Sequence, residues 1–506
     1  MSEKIRRAVK SIVAAGYQLS DGCIELLSLV EGKVDPEQLA MRALDEARRT
    51  KVSPQVIDRP LLERVAVDII PDKSMSRAVA VPNVVAKTVP YAKEVEARCE
   101  VLEDEYLERG SAATVGDFAS YFRSRFRKLR SIVHERLDAR GAGTISEALE
   151  APLNKRVRFI GMIMDKRDRK THIFLNMDDE ENSAVLLVQK SNPEAFGAAQ
   201  GAPLDQVVYV EAIRGKRDMF ICERLCLPDI PEHRPHRSDE PVHVALLSDI
   251  HVGSKTFLLE EFNRLILWLN GKVGTPSQRE TASKIKYVLI AGDLVDGVGV
   301  YPDQDRELAI PDIYAQYRMA AQFIEQIPDY MEVIFVPGNH DATRQALPQP
   351  PVAKEYAEPV YEARRISALG NPTRLRLHGV HFLLYHGRSL DDVVATVPGI
   401  TFQNSDKAME HLLRCRHLAP EYGKRTSIAP EKEDWLVIRD VPDVFHSGHV
   451  HVLKHKDYRG TTIVNSGAWQ DQTEYQRKMG LTPTPGVLPV LNLQTLQVSS
   501  VDFTRP

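Results

Sequence analysis

Cysteine is scarce in this chain, with five in 506 residues. Cys23, Cys99, Cys222, Cys226 and Cys415 are scattered, and only Cys222 and Cys226 lie close together, with no second pair to complete a zinc site. This argues against a disulfide framework and a thiolate-bound structural zinc. Reduced thiols in a cytoplasmic protein are the expectation. No apolar run is long enough to span a bilayer, and Met1–Lys10 lacks the pattern of a signal peptide, so no membrane association is expected. An excess of positive charge is missing as well. Against 66 lysines and arginines stand 70 aspartates and glutamates, a net charge of −4. Any contact with nucleic acid must therefore come from locally concentrated cations. There is no internal repeat and no low-complexity tract. What is present, 43% hydrophobic and 27% charged residues, suits a globular chain of about three domains.

Residues 1–71 read as a small helical interaction module. Ile5, Val9, Ile12 and Val13 keep helical spacing. Ser20 or Asp21 can cap a second helix, Asp35-Pro36-Glu37 starts a third and Ser53-Pro54 a fourth. Residues 72–116, with Pro82 and Pro90 in a mixed-charge run, read as a partly disordered linker. An amphipathic helical segment over 117–150 opens at Asp117 and sets Phe118, Phe122, Phe126, Leu129 and Val133 on one face. The other face carries Arg123, Arg125, Arg127, Lys128 and Arg130. It is expected to be solvated, with phosphate contact as the alternative.

From Arg156 the hydrophobic period switches to two. Five strands, with a helix-capable segment Pro193–Ala199 after the third, give the order of an OB-fold barrel over 151–230. Its first hairpin is crowded with cations, among them Lys166, Arg167, Arg169 and Lys170. These can meet a single strand of nucleic acid, or the barrel can serve only as a docking platform. Residues 231–241 form a proline-rich hinge in which His233 and His236 read as solvated. From 242 to 506 strands alternate with helical segments, as in an α/β sandwich.

The chemistry is concentrated at the strand ends of this last domain. V-A-L-L-S-D-I-H ends in Asp249 and His251, and Y-V-L-I-A-G-D in Asp293. V-I-F-V-P-G-N-H-D leads to Asn339, His340 and Asp341, H-F-L-L-Y-H to His386, and D-V-F-H-S-G-H-V-H to His449 and His451. Carboxyl ends of strands are where open α/β sheets place their ligands. Alternate residues of an extended segment point the same way, so Asp249 can share a site with His251, and His449 with His451. Oxygen and nitrogen donors without thiolates suit Mn, Fe, Zn or Ni. Asp293 can bridge two ions through its two oxygens, and such pairs act on phosphate esters. His446 reads as structural. Arg344 and Arg388, just past Asp341 and His386, are candidates for contact with a phosphate.

In this order, D-I-H, G-D, G-N-H-D, H-G and G-H-V-H resemble the calcineurin-like metallophosphoesterase superfamily. The longer motifs G-N-H-D-A-T-R-Q-A-L-P-Q-P, R-H-L-A-P-E-Y-G, V-N-S-G-A-W-Q and P-T-P-G-V-L-P-V resemble the small subunits of archaeal family D DNA polymerases. So does the order of helical module, linker, OB fold and phosphoesterase domain. The resemblance implies two divalent metal ions: manganese first, with Fe, Zn, Ni or Mg as alternatives. One would be held by Asp249, His251, Asp293 and His451, the other by Asp293, Asn339, His386 and His449. His340 would protonate the leaving oxygen and Asp341 would orient it. The implied function is a proofreading 3′-to-5′ exonuclease, partnered by a large polymerase subunit and acting on DNA. A stand-alone phosphoesterase on nucleotides or phosphoproteins, and a purely structural polymerase subunit, are the alternatives.

Overall fold

The computed structural model describes residues 2–20, 23–30, 35–49, 56–57, 61–62, 65, 89–103, 114–478 and 480–505. They fall into two units, Met1–Thr88 and Val89–Pro506. In the first unit the helices are α1 (Glu3–Ala14), α2 (Cys23–Val30) and α3 (Pro36–Arg49), with Ser2 capping α1 by accepting from the Ile5 N–H. A short parallel pair, β1 (Gln18–Leu19) and β2 (Val56–Ile57), joins them. The core seam of α1 runs through Ile5, Ala8 and Ile12, against Leu27, Leu39 and Ile57. Val13, expected on that seam, is 60% exposed. Ser53 and Pro54, the expected start of a fourth helix, lie outside the described residues, and Val56–Ile57 is a strand instead. Two adjacent β-branched residues suit a strand paired with β1.

The second unit begins inside the expected linker. There β3 (Cys99–Glu103) pairs antiparallel with Thr373–Leu377 and so becomes the edge strand of a sheet. Two glutamates in five residues hid this strand in the sequence, and residues 99–102 are exposed, so what places it is the hydrogen-bonded ladder to one neighbour. Helix α4 (Val115–Glu135) is capped by Thr114, with Asp117 closing the capping box at the third helical position. Its buried face holds Tyr121, Phe126, Leu129 and Val133, and also Arg125, which was expected in solvent. Arg125 is fully buried: its guanidinium meets Asp434 at 2.7 Å, the Pro420 carbonyl at 2.6 Å and Tyr121 Oη at 3.2 Å. A buried guanidinium is tolerated only with such complete pairing.

The strands β4 (Arg156–Asp168), β5 (His172–Asp178), β6 (Ser183–Gln189), β7 (Val207–Arg214) and β8 (Met219–Cys226) close into a barrel of order β4-β5-β6-β8-β7. Helix α5 (Pro193–Gly201) lies between β6 and β7 in the chain, with Asn192 as its cap. Alternate residues such as Ile173, Leu175, Met177, Leu186 and Val188 fill the interior around Phe159 and Phe220. The proline-rich hinge is not a free connector. Ile230 is buried, Asp229 donates its N–H to the Arg414 carbonyl, and His233 and His236 pack against the buried Asp443.

The remaining chain is a two-sheet sandwich. β9 (His243–Leu247), β10 (Ile285–Ala291), β11 (Glu332–Val336) and β12 (Ile366–Ala368) are parallel neighbours. The facing sheet holds β13 (Thr373–Leu377), β14 (Val380–Leu384), β15 (Val444–Ser447), β16 (Lys454–Tyr458) and β17 (Thr461–Asn465). Within it β14, β15 and β17 are parallel. β18 (Val487–Asn492) and β19 (Val498–Asp502) extend the first sheet beyond β9. Val244, Leu246, Tyr287, Leu289, Ile334 and Val336 face Leu375, Phe382, Leu384, Val444 and Val464 between the sheets. Their alternates Ala245, Leu247, Val288, Ile290, Val333 and Phe335 pack on the outer helices, including α6 (Leu259–Leu269) and α7 (Ile313–Glu325). Both faces of these strands are buried, which is why they read as continuous apolar runs. Among the described residues no helix is long and apolar enough to cross a membrane.

Candidate metal centre

Five parallel strands, three from one sheet and two from the other, end at the same rim. β9 delivers Asp249 and His251, β10 Asp293, β11 Asn339, β14 His386, and β15 His449 and His451. Asp249 (φ 52°), His251 (φ 54°), Asp293 (φ 54°), His449 (φ 71°) and His451 (φ 58°) all hold left-handed backbone conformations. Non-glycine residues adopt these at a cost, and such strain gathers at functional sites. Gly338 serves the same crowding: a Cβ there would fall on the Asp293 carboxylate.

The side chains converge. Donor atoms of Asp249, His251 and His451 lie within 4.8 Å of one another, as do those of Asp249, Asp293 and His386. His251 Nε2 and His451 Nε2 are 3.1 Å apart. Asp293 Oδ2 lies 3.8 Å from His251 Nε2 and 3.4 Å from His386 Nε2, so one carboxylate stands between two imidazoles. His386 Nε2 also faces Asn339 Oδ1 at 3.0 Å, while its Nδ1 donates to the Ala291 carbonyl at 2.8 Å. With the proton held at Nδ1, the free nitrogen of His386 points at two acceptors, which suits a cation among them. Asp249 and Asp293 are buried, and their carboxylates meet imidazoles and backbone N–H groups. Burial alone would raise the Asp293 carboxyl, but the imidazoles of His386 and His340 hold it well below the usual carboxylate range. Burial opposes charge on His386, yet Asp293 and Asp249 push it up to about 9. A protonated imidazole balances these carboxylates in the absence of metal, and a divalent ion replaces such protons on binding. The donor set therefore fits metal ions.

Other expected residues sit differently. His449 stacks edge-on against His386 with ring centroids 5.1 Å apart, but its Nε2 is 3.1 Å from Asp391, outside the converging clusters. Asp341 does not orient His340. Its carboxylate accepts the Gly338 N–H at 2.9 Å, the N–H groups of Leu294 and Val295, and the Tyr317 hydroxyl. It thus ties the loops after β10 and β11 together, and burial beside Asp293 raises it to about 6. His340 is positioned instead by the Asp296 carbonyl, 2.7 Å from Nδ1, with its ring edge-on to His251 at 4.6 Å. Arg388 lines the cavity beside these groups, 3.6 Å from Asp391. Arg344 is committed elsewhere, to the Pro348 carbonyl and to Glu431 at 2.8 Å. In the barrel hairpin, Lys166 donates to the carbonyls of Gln200 and Ala202 at the end of α5, and Arg167 pairs with Asp165. Arg169 and Lys170 are exposed. His446 is buried and bonded to Ser466 Oγ at 2.7 Å.

Several site residues carried no signal strong enough to find them. Asp296 accepts from His251 Nδ1 at 3.0 Å; standing three residues after Asp293 in the same loop, it was the easiest to find. Asp391 and Gln476 belong to helices remote in sequence from the histidines they touch, and Gln470 reaches Asp296 at 3.2 Å from another loop. Gln476 meets His451 Nδ1 at 2.8 Å. His251, Asp293, Asn339, His340, His449 and His451 line an open cavity of about 290 Å³, with Tyr301, Phe402 and Arg425 on its walls.

Residues 244–452 match the family model of the B subunits of DNA polymerases alpha and epsilon, a stretch that holds this rim and the strands leading to it. Over that stretch the class is that of B-type accessory subunits of DNA polymerases. Within it, this chain belongs to the family of archaeal DNA polymerase II small subunits, the family D polymerases. It is 38% identical over 435 residues to the DNA polymerase II small subunit of Pyrococcus horikoshii, covering 84% of this chain and 70% of that one. The Pyrococcus furiosus protein of the same description is 41% identical over 390 residues, covering 76% and 64%. That of Halobacterium salinarum is 32% identical over 519 aligned positions, covering 98% and 99%. A solved archaeal phosphodiesterase overlays 51% of this chain and 99% of its own at 12% identity and a TM-score of 0.25.

Proposed function

We propose that this chain carries a two-metal phosphodiesterase of the calcineurin-like type that removes nucleotides from the 3′ ends of single-stranded or mismatched DNA. It would thus be the proofreading exonuclease beside a large subunit that performs synthesis. The observation that carries the reading is the convergence of Asp249, His251, Asp293, Asn339, His386 and His451 on one rim. Asp249, His251, Asp293 and His451 would hold one ion, and Asp293, Asn339 and His386 the second. His449 would complete that second set by turning from Asp391. Such a pair of ions, when bound, supplies the positive clamp for the oxygens of a phosphodiester. The chain's own residues do the rest. His340 keeps the Nδ1 proton on the Asp296 carbonyl and gives the Nε2 proton to the leaving oxygen. Asp296 fixes the ring of His251, and Arg388 supplies positive charge for a phosphate entering the cavity.

The barrel is read as an OB fold, and the unit Met1–Thr88 as an interaction module. A large catalytic subunit is the partner that membership of a small-subunit family implies. The test is cleavage of a 5′-labelled single strand with manganese, by the chain alone and with its large subunit. Shortening from the 3′ end is expected. Asp293→Asn should nearly abolish it while far-ultraviolet circular dichroism is unchanged. A variant that kept the wild-type rate and metal content would overturn the two-metal reading.

A further inference from the structure

A second histidine cluster stands apart from the metal centre, where the segment before β9 crosses the facing sheet. Asp443, fully buried, precedes β15, and His381 lies on the neighbouring β14. His233 and His236 come from the crossing segment. His236 Nδ1 lies 3.1 Å from Asp443 Oδ2 and 3.3 Å from Oδ1, and His233 Nε2 is 3.6 Å from Oδ1. The rings of His236 and His381 have centroids 4.7 Å apart, tilted by 32°. One donor atom each from His236, His381 and Asp443 falls within 4.8 Å of the others.

Hydrogen bonding alone leaves this arrangement unexplained. Asp443 already accepts the backbone N–H of His236 at 3.0 Å and that of His381 at 2.8 Å. These bonds fix the carboxylate, yet three imidazoles still crowd around it. Both ring nitrogens of His233 are buried without a hydrogen-bond partner among the described residues. Such orphaned nitrogens are costly. Two imidazoles and one carboxylate, with no thiolate, converge as a donor set of the zinc type, and His233 stands beside them. Donors around a tetrahedral zinc, with bonds of about 2.0–2.1 Å, stand roughly 3.3 Å apart. The 3.1 Å between His236 Nδ1 and Asp443 Oδ2 is close to that spacing.

We propose that His236, His381 and Asp443 bind one divalent transition-metal ion of the zinc type, separate from the phosphoesterase centre, with His233 beside them. The ion staples the barrel-to-sandwich segment to the sheet. Binding takes the neutral imidazoles and releases any protons they hold. The side chain of His236 is 61% exposed and forms the entry side.

The test uses the full chain, stripped with chelator and dialysed against zinc chloride. His236→Gln with His381→Gln should hold one zinc per chain fewer than wild type, with nuclease activity unchanged. Cobalt(II) in place of zinc should give visible absorption that the variant loses in proportion. Equal zinc content in the two proteins would overturn the proposal. Should the double variant fail to fold, His236→Gln alone and a zinc-edge anomalous map of the zinc-loaded wild type decide it. A peak between His236 and Asp443 supports the site, and none there rejects it.

Discussion

The Nδ1 atom of His340 lies 2.7 Å from a backbone carbonyl, so its proton is held there and Nε2 is the atom free to exchange one. His340→Ala should therefore cost about 10²–10⁴ in rate, the usual worth of a general acid. Metal content, read by elemental analysis, should stay at the wild-type level. Loss of metal in that variant would make His340 a ligand. The neighbouring Asp341 gives the contrasting outcome. Asp341→Ala removes the acceptor for Gly338, Leu294 and Val295 and should loosen both loops, lowering stability and metal occupancy together. The difference between the two was not legible in the sequence, where they are adjacent polar residues of one motif. Asp249, His251, Asp293, Asn339, His386 and His451 were legible because each follows a strand end closely, a local property; two-residue spacing was a poorer guide, since the backbone at Asp249, His251, His449 and His451 is left-handed and His449 does not join His451. Asp296 and Asp391 act on imidazoles 45 and 58 residues away in the chain, and spacing has nothing to say about such pairs.

At the scale of elements, the barrel and the parallel strands were readable from hydrophobic period, whereas single cations were not. Lys166 looked like a phosphate contact because it stands among Arg167, Arg169 and Lys170. In the barrel it closes the end of α5, where the last carbonyls of a helix favour a cation, and burial lowers its ammonium below the ordinary value. Lys166→Ala should lower stability by about 1–2 kcal/mol and leave affinity for single-stranded DNA unchanged, by chemical denaturation and by titration at several salt concentrations. A weakened affinity with an altered salt slope would return Lys166 to the DNA surface. The same limit explains β3 and Arg125. A charged pentapeptide becomes a strand only because the edge of β13 is there to receive it, and an arginine goes inside only because Asp434 waits there.

For the whole molecule, the order of helices, barrel strands and sandwich strands was visible in the sequence because each stretch has its own period. The packing of the hinge and α4 was hidden, since it depends on partners some 200–300 residues away in the chain. That packing buries titratable groups, and it sets how stability depends on pH. Burial pushes His411 and His417 down from 6.5 to about 4, with Arg414 adding to the effect at His411 and Arg125 at His417. The unfolded chain then binds more protons than the folded one between about pH 6.5 and 4, so stability rises with pH across that window and is lost on acidification through it. Each histidine contributes up to about 1.4 kcal/mol per pH unit there. Asp434 has the other sign of origin but the same direction: its carboxyl is held below the ordinary range against the cost of burial by His417 and Arg125. Its contribution is lost only as the pH falls below the usual carboxylate value near 3.8. Denaturation midpoints measured with chelator at pH 7, 6 and 5 should therefore decline before the carboxylates titrate. His411→Leu, which cannot take up the proton, should give a shallower decline than wild type. An equal decline in wild type and His411→Leu would mean this imidazole charges freely in the folded protein, and the packing described around it would be wrong.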